Sequence, residues 1–469
     1  MKEGKPLVHP YIPNSVPEVK KEMLEEVGVK NIEDLYTEIP DRLRFKRKLN
    51  LPEPFLSECE LKKHVKEILE KNKTCDEYLN FLGGGCWQHY VPAVCDEIGG
   101  RTEFVTAYAG MEHADIGKWQ AFFEFQSQIG ELVKMDAVNV PSYSWGSAAG
   151  EAIRMASRMT ARNEVLLPRT TAPERLEVIK GLCGNKDMPG GIEIILVEYD
   201  PQSGLVDLKD LKNKISSNTA AVYFENPSYL GFIESRGAEI SKIAHDNGAE
   251  SIAGVDPISL GIISAPPDYG ADIVVGTAQP LGIHMNCGGG TVGFIASSDD
   301  ERYMSEYPSW LTTIVDTIKE GEHGFSPCYM ERTSYSERDE AKDWAGTTTA
   351  LWAITAAVYM SLMGPWGFKE IGETIIQKSH YAAKRLSEIK GLKLLFTSSF
   401  FKEFALNFDG VRKTVKEINR SLLEHGIYGG KDISSEFPEL GNSALYCVTE
   451  VHSKTDIDRL AKAMKEVVK

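Results

Sequence analysis

Two β-rich runs, SIAGVDP (251–257) and DIVVGTAQPLGIHMNCGGG (272–290), pose the first chemical question. The first run carries Asp256 at its end. A carboxylate held against the nitrogen of a bound pyridine ring keeps that nitrogen protonated, and the ring then accepts the electron pair of a substrate carbanion. An Asp before Pro257 also serves as a helix cap or turn residue, so both uses stand open from the residues alone. The second run contains no lysine and therefore supplies no amine for a Schiff base. It does supply His284, a candidate acid or base, for which a hydrogen-bonded loop position is the plainer use. In PSYSWGSAAGEAIRMA (141–156), Gly146 and Ser147 stand where a helix begins. Free N–H groups and a hydroxyl at that point can hold a phosphate, although an ordinary N-cap uses the same residue types.

Other constellations carry less. The GGG of 288–290 lacks the spacing of a P-loop or a dinucleotide fingerprint and reads as a turn. Glu112, His113 and Asp115 in GMEHAD would need further ligands from elsewhere to bind a metal, so this packet reads as a hydrogen-bonded loop and no metal is expected. The eight cysteines are scattered without a C-x-x-C pair, which fits neither a zinc site nor a disulfide framework and points to a reducing cytoplasm. A formal charge of −16 argues against a nucleic-acid groove or an anionic membrane surface as partner, leaving small molecules and other proteins.

The elements that must position these residues follow from periodicity. At 469 residues, with 42% apolar and 26% charged, the chain is long enough for a large domain and at least one smaller one. VPEVKKEMLEEVG and LSECELKKHVKEILEKN, the latter with Ser57 as N-cap and Glu60 three residues on, predict an N-terminal helical arm over 1–75. In KWQAFFEFQSQIGELVKM, apolar residues recur at helical spacing. IEIILVEYD, AAVYFEN, SIAGVDP and ADIVVGT then read as short buried strands, with AEISKIAHDNGA as a helix between the second and third. Strands alternating with helices imply an α/β domain with a mostly parallel sheet, placed over 76–345. Ligands in such sheets bind at the carboxyl ends of the strands, where Asn226, Asp256 and Gln279 fall. With Gly146 and Ser147 they form the candidate cofactor-binding set. The uncharged run TTTALWAITAAVYMSLMG (347–364) meets the minimum length of a membrane span but reads as a core helix opened by threonines and closed by Gly364-Pro365. That helix and a small α+β domain make up 346–469, with GLKLLFTSSFFKEFALNF supplying strands and SKTDIDRLAKAMKEVV a capped last helix.

Taken together, the motifs resemble subunit 1 of the glycine cleavage system P protein, a pyridoxal-phosphate glycine decarboxylase of aminotransferase-like fold. The resemblance spans nearly the whole chain and rests on YIPNS, IPDRLRFKRKLNLPEP, FLGGGCWQHYVPAV, EFVTAY, FEFQSQIGELVKMD, ENPSYLGFIE, DPISL, YGADIVVG, QPLGI, AVYMSLMGPWG and GNSALYCVTE. It implies that Gln279 stands where subunit 2 carries the Schiff-base lysine. It further implies that the two subunits assemble as α2β2, that the cofactor is anchored on subunit 2, and that the aminomethyl group derived from glycine passes to the lipoyl H protein. The departures are local. AGMEHADIGK replaces a TPYQPEISQG-like loop, YSWGSA replaces a YDGATA-like turn so that Ser144 and Trp145 stand for an acid and a glycine, Ala172 replaces a histidine, and DEAKDW replaces an EKATSN-like segment. Three readings follow: a divergent subunit 1 of glycine cleavage, a paralogue acting with a partner on another amine or amino acid through a pocket reshaped by Met111 and Trp145, or a non-catalytic scaffold subunit.

Overall fold

The computed structural model describes residues 8, 11–12, 15–47, 49–105, 118–187, 189–343 and 349–469. Glu112, His113, Asp115, Met111 and Trp344 lie outside them. The chain divides into two units, Met1–Asn72 and Lys73–Lys469. Among its described residues the first contains two α-helices and two short 3-10 turns. Pro17–Val27 ends on Gly28, whose φ of 81° gives a left-handed cap, and Glu58–Leu69 begins at Ser57, whose hydroxyl accepts the Glu60 N–H. Neither helix has a buried residue.

The second unit is built on a seven-stranded sheet in the order Ala137–Val138, Gly293–Ser297, Ile273–Thr277, Glu250–Val255, Thr219–Glu225, Glu164–Pro168, Glu193–Val197. The last five of these run parallel, while Gly293–Ser297 is antiparallel to both of its neighbours. Alternation along each strand supplies both faces. Val274 joins a core with Phe122, Phe125 and Ile129 of the helix Lys118–Val133, whereas Ile273 and Val275 face Ala148, Ala152 and Ile153 of the helix Trp145–Thr160. Ala148, Ala149, Ala152 and Ala156 are wholly buried, and their small side chains let that helix lie close on the sheet.

The helix of the apolar run at 347–364 ends at Gly364-Pro365, as its sequence reads. Ala350–Ser387 is two helices that meet at a kink where Gly364 takes φ 56° and ψ −178°. Glycine reaches that conformation without a Cβ penalty, and Pro365 then restarts the helix because its missing N–H is spare in a first turn. Among the described residues no helix is long and apolar enough to cross a membrane. Beyond it, a four-stranded antiparallel sheet runs in the order Lys393–Leu394, Glu403–Asn407, Ser443–Cys447, Lys431–Asp432. The last helix, Lys454–Val467, starts with a reciprocal cap between Ser453 and Asp456.

One buried acid sets a pH dependence. Glu151, on the helix Trp145–Thr160, is hydrogen-bonded by the Ser142 hydroxyl. Burial and the nearby Asp343 outweigh that bond and push its carboxyl up to about 7. Its unfolded value is about 4.3. The folded state therefore holds the proton more tightly, and stability is lost as pH rises from the unfolded value through about 7. Glu151→Gln is expected to flatten urea-derived stability between pH 5 and 8 and to gain on the order of 2–3 kcal/mol at the alkaline end. Parallel curves for the two proteins would contradict it.

Candidate functional site

The carboxyl ends of the strands bring Glu225, Asn226, Asp256 and Gln279 to one side of the sheet. There they meet residues from three distant parts of the chain. Asp256 caps the turn that follows it, its Oδ1 accepting the Ile258 N–H at 3.2 Å. Its other oxygen lies 2.7 Å from Nζ of Lys402, and the two side chains are only 5% and 3% exposed. Lys402 stands beside the four-stranded sheet, immediately before its strand Glu403–Asn407. Its ammonium sits 3.4 Å from the centroid of the Trp87 ring and 3.2 Å from Nε2 of His89. His89 Nδ1 in turn lies 2.8 Å from Glu450. Burial opposes the charge on Glu450, but His89 and the Tyr90 amide outweigh it and hold the carboxyl at about 2. The result is a buried chain of alternating charge and hydrogen bonding: Asp256, Lys402, His89, Glu450.

A second chain closes the other side. Arg175, on the helix Pro173–Cys183, lies 2.7 Å from Glu225, with both side chains buried. Burial disfavours the guanidinium charge, yet Glu225 more than restores it, so the Arg175 pKa is raised. The guanidinium carbon stands 3.7 Å from the centroid of the Trp145 ring. The Trp145 indole N–H donates to the Tyr223 hydroxyl at 3.1 Å, which donates to Glu225 at 2.9 Å. Gly254 makes room for this: a Cβ there would come within 2.8 Å of the Tyr223 hydroxyl and 2.9 Å of the Trp145 indole nitrogen.

Gln279 is 1% exposed and saturates its amide on backbone. Its Nε2 donates to the carbonyls of Trp87 at 3.0 Å and Ile283 at 3.1 Å, and its Oε1 accepts the Trp87 N–H at 3.1 Å. It thereby pins the segment whose ring covers Lys402. The Asn226 side-chain oxygen Oδ1 accepts the Glu234 N–H at 3.1 Å. Ser144, not Ser147, caps the helix; Ser147 completes a reciprocal cap, its hydroxyl oxygen accepting the Ser144 N–H at 2.8 Å. A Cβ on Gly146 would approach Val178 Cβ at 3.0 Å and Arg175 Cα at 3.2 Å, so this glycine permits close helix packing. His284 pairs with Asp96 at 2.9 Å on the surface, both side chains more than half exposed, and does not line the pocket. Ala172 is the uncapped residue before Pro173.

The pocket enclosed by Trp87, Trp145, Arg175, Asp256, Lys402 and Glu403 has a volume of about 10 Å³, room for about one water molecule. A site for a small organic ligand takes about 300 Å³ or more. The side chains present therefore do not fit pyridoxal phosphate: the carboxylate available to a ring nitrogen is bound to an internal ammonium, and a tryptophan and a guanidinium fill the space beside it. Sequence reasoning reached Asp256 and Gln279 but missed Lys402, His89, Arg175, Glu225 and Glu450. One signal was present in FFKEF, where two charged residues interrupt an otherwise apolar strand. Among the described residues no group of three or more His, Cys, Asp or Glu is arranged to hold a metal.

Five parallel strands covered by helices, with a small antiparallel sheet contributing to the site at their carboxyl ends, define an α/β protein of the pyridoxal-phosphate fold type I class. The chain belongs to the glycine cleavage system P-protein family, whose model matches residues 9–464. Pyridoxal phosphate is the cofactor of that family. The chain is 39% identical over 468 residues to the probable glycine dehydrogenase (decarboxylating) subunit 1 of Staphylothermus marinus, covering 98% of each chain. It is 39% identical over 461 residues to the protein of the same description from Pyrococcus horikoshii, covering 98% of this chain and 99% of that one. The crystal structure of an inhibitor-bound glycine decarboxylase (P-protein) superposes with a TM-score of 0.84 at 30% identity, covering 98% of this chain and all of that one. Sphingosine-1-phosphate lyase of Burkholderia pseudomallei, at TM-score 0.64 and 14% identity, shares the fold.

Proposed function

We propose that this chain is the subunit without a Schiff-base lysine in a two-subunit glycine decarboxylase. It pairs with a lysine-bearing subunit 2, as α2β2, and the complex decarboxylates glycine on the cofactor held by that partner and passes the aminomethyl group to lipoyl H protein. The observation that carries this reading is Gln279: at the end of the strand after Asp256 it is a buried backbone clamp with no nucleophile. The names of the relatives, subunit 1 of a glycine dehydrogenase, support a second subunit. The eight free cysteines are in keeping with the cytoplasm.

The test is exchange of labelled bicarbonate into the glycine carboxyl group with lipoyl H protein present, using this chain, a lysine-bearing subunit 2 of the same family, and both together. Exchange is expected from the mixture alone. Full exchange by the lysine-bearing subunit without this chain would refute the reading, as would exchange by this chain alone. Exchange with another amino acid but not glycine would favour the altered-substrate paralogue.

A further inference from the structure

We propose that this chain carries an internal replacement for a cofactor, in which the Lys402 ammonium takes the place of a pyridinium at Asp256 and the Trp145 indole fills the space of the ring. Removing these two side chains then suffices to admit a phosphorylated pyridine. The proposal rests on reading this chain as the subunit without the Schiff-base lysine.

Asp256 and Lys402 are 2.7 Å apart and almost fully buried, so the carboxylate faces a fixed cation rather than open space. A buried ion pair persists only where its geometry and further hydrogen bonds compensate the loss of water. Lys402 has both kinds of support, the Trp87 ring at 3.4 Å and His89 at 3.2 Å. Trp145 is held independently: its indole N–H is bound to Tyr223, Arg175 covers its ring, and Gly254 leaves the space it needs. The two obstacles share no direct hydrogen bond, yet both border the same cavity of about 10 Å³. Arg175, which also lines this cavity, is engaged by Glu225 at 2.7 Å. Loss of Trp145 would uncover one face of that guanidinium, and loss of Lys402 would free Asp256.

The experiment is calorimetric titration of the full chain with pyridoxamine phosphate, which forms no aldimine with surface lysines. The wild type and a Trp145→Gly/Lys402→Asn double variant are compared. No binding is expected for the wild type to millimolar ligand, and at least a tenfold gain for the double variant. One equivalent bound by the wild type, or a folded double variant no better than the wild type, overturns the proposal. A measurement on the wild type covers the case in which the double variant fails to fold. Under reductive methylation of the native chain, followed by peptide mapping, Lys402 is expected to stay unmodified while exposed lysines react. Methylation of Lys402 at the rate of surface lysines would overturn the proposal. These results concern the isolated chain and stand apart from the exchange assay, whose failure would overturn the functional reading alone.

Discussion

Asp256→Asn is expected to destabilise the folded chain by about 3–5 kcal/mol, because it strands the Lys402 ammonium in a buried site without its counter-ion. The contact is 2.7 Å long, with both side chains at or below 5% exposure. Trp87 and His89 remain in the variant, but a ring face and an imidazole nitrogen do not replace a full negative charge. Lys402→Met should be similarly harmful, since it leaves the carboxylate alone. The double variant Asp256→Asn/Lys402→Met should cost clearly less than the sum of the two, because neither buried charge is then left over. Urea unfolding of the four proteins measures this coupling. Additive losses, or a loss below about 1 kcal/mol for Asp256→Asn, would show that the pair does not form in solution.

The second large effect concerns the position where a lysine would restore a Schiff-base nucleophile. Gln279→Lys is expected to gain no aldimine absorption band with pyridoxal phosphate and to lose about 2–4 kcal/mol of stability. Glutamine both donates to the Trp87 carbonyl and accepts the Trp87 N–H. An ammonium can only donate, so the Trp87 N–H would be left buried without an acceptor. It would also bring a second positive charge into the same interior, where the available carboxylates are already engaged. A spectrum with an aldimine band in this single variant would mean that the pocket opens more readily than its packing indicates. A melting temperature unchanged from wild type would mean that the clamp contributes little.

Much of the scaffold was legible because its signals are local. The runs AAVYFEN, SIAGVDP and ADIVVGT became the strands Thr219–Glu225, Glu250–Val255 and Ile273–Thr277, since continuous apolar runs of that length bury both faces of a parallel strand. The Ser57 and Ser453 caps were visible in the same way, each needing a hydroxyl and a nearby amide a few residues away. Gly364-Pro365 was legible as a helix end, but the second helix that starts directly after it was not, because the same two residues that close one helix also suit the start of the next.

The sequence by itself determined that an acid, Asp256, and an amide, Gln279, would stand at the carboxyl ends of adjacent parallel strands, and that the stretch after Asp256 held no lysine. Strand ends follow from local pattern, and their parallel direction from the alternation of strands with helices. What faces Asp256 was decided by tertiary structure alone. Lys402 comes from beside the small antiparallel sheet, Trp87 and His89 from a segment far upstream, and Glu450 from near the end of the chain. A lysine in FFKEF has the same local signature whether it points to solvent or into a core. Only the packing of the four-stranded sheet against the seven-stranded one removes it from water, and once removed, Coulomb attraction in a poorly screened interior commits it to the nearest carboxylate.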